Sequence, residues 1–182
     1  VSGQSAELFI SQRGARVFIY DENPIKPRLG CAVSDIPKED IDLCVTSPGF
    51  SLSHPMILKL KERGIPVVGE LELSFDASRW NYWIAVTGTN GKTTTTSFIG
   101  HLLRNAGFNV VVGGNIGVPV TSFLNEPISE TIIVAEVSSF QLETVHTFRP
   151  QVAVLLNLTP DHLDRHGTME NYFQTKAKIF QL

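Results

Sequence analysis

Residues 88 to 94 read Gly-Thr-Asn-Gly-Lys-Thr-Thr, and residue types in that order suit the handling of a polyphosphate. Gly88 and Gly91 let the backbone turn successive N–H groups toward one point. Lys92 supplies a positive charge, a helix N-terminus just beyond adds a partial one, and the Thr93 hydroxyl suits a Mg²⁺ ion accompanying the phosphates. Valine stands at 86, where the usual phosphate-loop pattern has its first glycine, so the match is to a shortened form, Gly-x-x-Gly-Lys-Thr. The bland alternative is a glycine turn with a solvated lysine. Against it stands the context: Trp83-Ile84-Ala85-Val86 predicts a short buried strand before the loop, and Phe98, Ile99, Leu102, Leu103 and Ala106 recur at helical spacing after it.

Other residues could serve the same chemistry. Glu136 ends the apolar run Thr131-Ile132-Ile133-Val134-Ala135, and the carboxyl end of a buried parallel strand beside a phosphate loop is where a Mg²⁺-binding carboxylate is wanted. A helix N-terminal acid is its alternative reading. Asn115 sits among Gly113, Gly114 and Gly117, where it either donates to a ligand or occupies a left-handed turn position. His162 follows the strand Val152–Leu156 and lies between Asp161 and Asp164, which can orient an imidazole as, or near, a metal ligand.

These residues need a scaffold of alternating strands and helices. Arg16–Asp21, Ile41–Thr46 and a segment from Pro66 read as strands, with helices expected from Ala6 to Gly14 and from Met56 to Arg63. The stretch before Ala6 reads as the tail of a glycine turn. Together they form half of a dinucleotide-type fingerprint, in which Asp21 is either a ligand to a sugar hydroxyl or a turn former ahead of Pro24. Ser47-Pro48-Gly49-Phe50 is a turn at a strand's carboxyl end. Asp76-Ala77-Ser78-Arg79 is the expected linker, and a final helix is expected from Met169 to Leu182, packing through Tyr172, Ala177, Ile179 and Phe180. The fold class is α/β: a small Rossmann-like parallel-sheet domain over 1–76, then a P-loop ATPase-type domain over 77–182.

Composition narrows the partners. The chain has 182 residues, 42% hydrophobic and 18% charged, with net charge -3 and no basic block, which argues against a sequence-independent nucleic-acid binder. Cys31 and Cys44 have no ligand-like neighbours at zinc spacing, so a reduced, cytosolic setting is the default. No apolar run is long enough to span a bilayer, and no signal-peptide pattern opens the chain. The expected state is a monomer.

Four strings in this order, Gly88–Thr94, Gly114-Asn115-Ile116-Gly117, Glu136-Val137-Ser138-Ser139-Phe140-Gln141-Leu142-Glu143 and Asn157-Leu158-Thr159-Pro160-Asp161-His162-Leu163-Asp164-Arg165, resemble the Mur ligases of peptidoglycan synthesis. Residues 138–143 and the early Ser47-Pro48-Gly49 most resemble the members that add D-glutamate to UDP-N-acetylmuramoyl-L-alanine. The resemblance covers essentially the whole chain. It corresponds to the family's UDP-binding domain without its first strand, plus about the first half of the central ATPase domain.

The resemblance implies ATP-dependent amide-bond ligation through an acyl phosphate, with Mg²⁺. Gly88, Thr89, Asn90, Gly91, Lys92, Thr93 and Thr94 would cradle ATP; Glu136 and His162 would serve the metals; Asn115 and Ser138 would touch the UDP-sugar, with Ser2, Asp21 and Ser47 at its uridine-diphosphate end. A carbamylated lysine, itself a metal ligand, falls on Lys176, four residues after Tyr172, with Lys178 as the fallback. Two other readings stay open. A sister ligase, another Mur enzyme or a folylpolyglutamate synthase, would differ in its need for a nucleotide-sugar. A non-enzymatic nucleotide-binding module would hold ATP without consuming it.

Overall fold

The computed structural model describes residues 2–22, 29–125 and 130–181. Val1, Pro24 and Leu182, which entered the expectations above, lie outside the described residues.

The chain opens with α1 (Ser2–Ser11), β1 (Phe18–Tyr20), β2 (Cys31–Val33), β3 (Cys44–Thr46), α2 (Pro55–Glu62) and β4 (Val67–Gly69). β1 pairs parallel with β2, and β3 with β4. No ladder joins the two pairs among the described residues. A small apolar cluster, Ile57, Leu60, Ile65 and Val67, holds α2 against β4. The helix itself is started by His54, whose ring accepts the Met56 N–H, followed by Pro55 in the first turn. Where a turn is expected ahead of Ala6, residues 2–6 are instead already helical. Ser5, Ala6 and Phe9 are buried one turn apart, and that burial outweighs the cost of about 1 kcal/mol for glycine at position 3. β2 has no counterpart in the sequence reading, because three residues between turns offer no period to read.

The second half is built on one parallel sheet, in the order β6-β7-β5-β8. Its strands are β5 (Tyr82–Thr87), β6 (Val110–Gly114), β7 (Ile132–Glu136) and β8 (Val152–Leu155), with helices α4 (Lys92–Asn105), α5 (Ser139–Leu142), α6 (Leu163–His166) and α7 (Met169–Ala177). β5 lies between β7 and β8, and Trp83, Ala85 and Val86 are fully buried. Both faces of a central parallel strand are covered, so it reads as an unbroken apolar run.

Two expectations are corrected here. Asp76–Arg79 is not a linker: α3 (Glu70–Ser78) runs through it, and its Leu71 and Phe75 join the core of the second sheet. Phe75, Trp83 and Phe148 pack edge-to-face at 5.7, 5.3 and 5.6 Å between centroids, and the Trp83 indole N–H donates to the Ser78 carbonyl at 3.2 Å. Asp76 and Arg79 of that stretch lie on the solvent side of a helix end, while Ser78 is buried. The last helix does not run on to Leu182 either. It ends at Ala177 and tightens into a 3-10 turn over Lys178–Phe180, which brings Ile179 into the core and leaves Phe180 exposed. On α4, Thr96 and Gly100 are the buried residues, while Phe98 and Leu102 stay exposed. No helix among the described residues is long and apolar enough to cross a membrane.

Candidate active site

The loop between β5 and α4 is shaped from three sides. Gly91 is the N-cap of α4 in the left-handed region, at φ 81°, a conformation glycine adopts without steric cost. The first intrahelical bond runs from the Thr95 N–H to the Gly91 carbonyl, so the N–H groups of Lys92, Thr93 and Thr94 form the open turn that an anion can meet. The loop's other edge is tied to the segment after β8. Thr89 N–H donates to the Asn157 carbonyl at 3.1 Å, and the Asn157 side chain accepts from Asn90 N–H at 2.9 Å and donates to the Asn90 carbonyl at 3.0 Å. The Thr89 hydroxyl bonds Thr159 at both its N–H and its carbonyl. The Lys92 ammonium folds back on the carbonyls of Gly88 and Thr89, at 3.0 and 2.8 Å.

Glu136 is the last residue of β7 and 2% exposed. Register places it beside Val86 of β5 on one side and Gly114 of β6 on the other. Its carboxylate accepts from the Thr93 hydroxyl at 2.8 Å and from the Asn115 amide at 3.0 Å. α5 begins only at Ser139, so Glu136 is not a helix N-terminal acid. Gly114 has φ 111°, and a Cβ there would strike the Glu136 carbonyl; this close approach lets the Asn115 N–H donate to that carbonyl at 2.8 Å. Among the described residues only Glu130 and His162 are non-glycine residues with positive φ, which removes the left-handed reading of Asn115.

Lys176 is 1% exposed. Its ammonium donates to the Gly88 carbonyl at 2.9 Å and approaches the Thr87 hydroxyl at 3.4 Å. Burial, reinforced by the charge of Lys92 and opposed by Asp161, brings its pKa down to about 8. Lys178 points elsewhere and donates to the Glu143 carbonyl at 3.2 Å. Tyr172, one turn before Lys176, touches the Thr89 hydroxyl at 3.3 Å.

His162 opens α6 from a left-handed conformation, at φ 51°. Its N–H donates to the Asp161 carboxylate at 2.9 Å, and its ring lies on Phe140 at 4.8 Å. No hydrogen bond joins it to Glu136 or Lys176 among the described residues, and no three His, Cys, Asp or Glu residues there come together as a metal cluster. Thr93 and Asn115 are therefore brought into contact with Glu136, while Lys176 reaches Thr87 and Gly88 where the loop begins and His162 contacts Asp161 and Phe140. Of the residues expected at a uridine-diphosphate end, Asp21 follows β1, Ser47 follows β3, and Ser2 starts α1 with Gly3 packed on the Ser47 hydroxyl. Ser138 is the N-cap of α5 in a capping box with Gln141. The Cys44 thiol is pushed up to about 11 by burial, which keeps it protonated.

Sequence reasoning missed Asn157, Glu72 and Phe140. Asn157 carried a usable signal, a polar residue directly after an apolar strand. Glu72 carried none, since its carboxylate accepts from the N–H groups of His146, Thr147 and Phe148 and from the Thr147 hydroxyl, all remote in sequence.

A parallel sheet whose central strand delivers a glycine loop to a helix N-terminus, with a buried acid one strand away, defines a phosphate-loop α/β protein. Residues 86–182 match the Mur ligase middle domain, and the chain belongs to the Mur ligase family. It is 46% identical to a UDP-N-acetylmuramoylalanine–D-glutamate ligase from Pelotomaculum thermopropionicum, over 98% of this chain and 42% of that protein. It is 49% identical to the ligase of the same name from Clostridioides difficile, over 87% of this chain and 35% of that protein. The chain thus spans less than half the length of these curated relatives. The fold is shared with the crystal structure of UDP-N-acetylmuramate:L-alanyl-gamma-D-glutamyl-meso-diaminopimelate ligase from Neisseria meningitides, at a TM-score of 0.58 and 22% identity, over 99% of this chain and 64% of that one.

Proposed function

We propose that this chain carries the UDP-sugar-binding region and the first part of the ATP-binding region of a ligase that joins D-glutamate to UDP-N-acetylmuramoyl-L-alanine, with the division between the regions at the start of α3. The observation that carries the reading is the contact of Thr93 and Glu136 at 2.8 Å beside the open first turn of α4. A hydroxyl and a buried carboxylate form an all-oxygen pair suited to Mg²⁺, and the N–H groups and Lys92 suit phosphate, so the residues fit both groups. ATP, as co-substrate, supplies the phosphoryl group that turns the alanyl carboxylate into an acyl phosphate, from which the amine of D-glutamate displaces phosphate.

The chain's own residues have separate tasks. Lys92 leaves the carbonyls of Gly88 and Thr89 to meet the transferring group, whose charge it stabilises. Gly88 to Thr94 hold the phosphates, and the Asn157 clamp keeps Thr89 and Asn90 in place. Thr93 and Glu136 would hold the metal, which would offset the charge of the phosphates, and His162 would serve it as well. Asn115 and Ser138 touch the sugar nucleotide, and Ser2, Asp21 and Ser47 hold its uridine diphosphate. Lys176 has a buried amine that loses its proton readily. As the neutral amine it can add to CO₂ and release a proton, giving a carbamate that brings a negative charge to the metals. The test is Lys176→Ala in the full-length protein: turnover should fall, and formate or acetate should restore part of it at saturating ATP, with the melting temperature unchanged. Normal turnover in that variant would remove the carbamate from the reading.

A further inference from the structure

We propose that Phe140 is a positioning residue, a fixed aromatic wall that holds the His162 imidazole in one orientation. The proposal rests on the ligase reading above, in which His162 serves the metal.

The need for a wall comes from the backbone. His162 sits at φ 51° and ψ 32°, a conformation that costs a non-glycine residue about 1–2 kcal/mol and recurs where a side chain must be aimed. The polar and ring contacts of its imidazole among the described residues are two. Asp161 lies at 3.5 Å from Nε2, and its carboxylate is itself nearly half exposed. The Phe140 ring lies at 4.8 Å, tilted by 51°. A half-exposed imidazole held only by a half-exposed carboxylate, whose other oxygen is taken by the His162 backbone N–H, would sample several rotamers.

Phe140, by contrast, is fixed on every side that the structure describes. It stands in α5, whose start is locked by the capping box of Ser138 and Gln141. The His166 ring stacks on it at 5.8 Å and 25°, and His166 is held in turn by the Ser139 hydroxyl at 3.0 Å and the Tyr172 ring at 5.1 Å. The Arg165 guanidinium lies 5.2 Å from the Phe140 centroid, anchored on Glu143 at 3.1 and 2.6 Å. Placement of His162 therefore derives, through one ring, from α5 and from Arg165 and His166 of α6, the latter held by Tyr172 of α7. Simple packing would make no use of this anchoring, since Phe140 is only partly buried.

The experiment uses the full-length protein labelled with ¹³C-histidine, with the His162 ring signal identified by its loss in His162→Gln. In the unmutated protein that signal should be shifted upfield by the Phe140 ring current. Phe140→Met, which keeps the volume and removes the ring, should move it to the position of a solvent-exposed histidine, and Phe140→Tyr should restore the shift. Turnover with the UDP-sugar acceptor should fall about tenfold to a hundredfold in Phe140→Met, the range expected for a misplaced catalytic group. KM for ATP should stay within about twofold, since the phosphate loop is untouched, and Phe140→Tyr should recover the rate. A His162 signal without an upfield shift, or one unmoved in Phe140→Met, would overturn the proposal whatever the protein catalyses. A moved signal with unchanged turnover would overturn it as well, leaving Phe140 as packing. An unmutated protein that binds ATP but never ligates would sink the ligase reading instead, with the ring contact still readable from the shift.

Discussion

The two halves of the chain hold their candidate ligand residues by different means. Glu136 ends a strand of five residues, and Lys92 and Thr93 open α4 after the loop that follows a strand of six, both strands inside a four-stranded sheet over a core that includes Trp83, Ile133 and Phe148. Asp21 and Ser47 follow three-residue strands in two separate pairs. The first half gains its order by leaning on the second. Ser5 bonds Thr121 and Ser122 at 2.7 Å, and the Arg13 guanidinium donates to the Leu124 carbonyl. On the reading proposed above, phosphoryl chemistry would sit on the half with the larger core, and the sugar nucleotide's end on a half whose placement depends on it.

The largest expected effect tests the half with the larger core. Trp83→Ala should cost about 3–5 kcal/mol, the usual loss for a buried large aromatic. Leu60→Ala, in the smaller cluster of the first half, should cost about 2 kcal/mol, at the low end for aliphatic truncation, because fewer neighbours surround it. Urea denaturation of both variants measures the difference, and equal losses would erase the contrast between the halves.

The docking of α3, where the second half begins, is tested at Glu72. Its carboxylate accepts four hydrogen bonds from residues 146–148. Glu72→Gln puts an amide donor against backbone donors and should cost about 2–3 kcal/mol. Hydrogen exchange should show the loss at residues 146–148 as well as in α3. A neutral substitution would mean that α3 docks on residues 146–148 without this carboxylate.

The smallest effect is a pH dependence. Burial and Lys92 hold the Lys176 amine at about 8, against 10.5 for an ordinary lysine, so folding disfavours its charged form. That penalty is complete below about pH 8 and is relieved as the pH rises toward 10.5, where the unfolded chain also sheds the proton. In CO₂-free buffer, stability should therefore climb across this window by roughly 1–3 kcal/mol more than in Lys176→Met. Urea midpoints at about pH 7.5 and 10 read this difference, and parallel behaviour of the two proteins would show that the amine is not desolvated.

The same contrast decided what the sequence could tell. β5, the glycine loop, α4 and Glu136 were legible because central parallel strands are continuous apolar runs, against which glycines and an acid at the carboxyl end stand out. α3 was not legible. Glu70, Glu72 and Asp76 read as surface, yet Glu70 and Glu72 are buried against donors 51 and 74 residues away, which no local pattern reveals. The ring stack around His162 was hidden for the same reason, since it is assembled from α5, α6 and α7. β2 and the helical start of α1 were lost to shortness and to the partner that buries them.

Whether Lys92, Thr93 and Glu136 form the phosphoryl-transfer site of an amide-bond ligase is decided by phosphate release from ATP in the full-length protein, supplied with UDP-N-acetylmuramoyl-L-alanine and D-glutamate. Release should require both substrates and should fall at least 10²–10³-fold in Lys92→Ala, the loss expected when a charge-stabilising group is removed. The melting temperature should not move, because Lys92 contributes no core volume. Sustained release in Lys92→Ala, or release that ignores D-glutamate, would contradict that assignment.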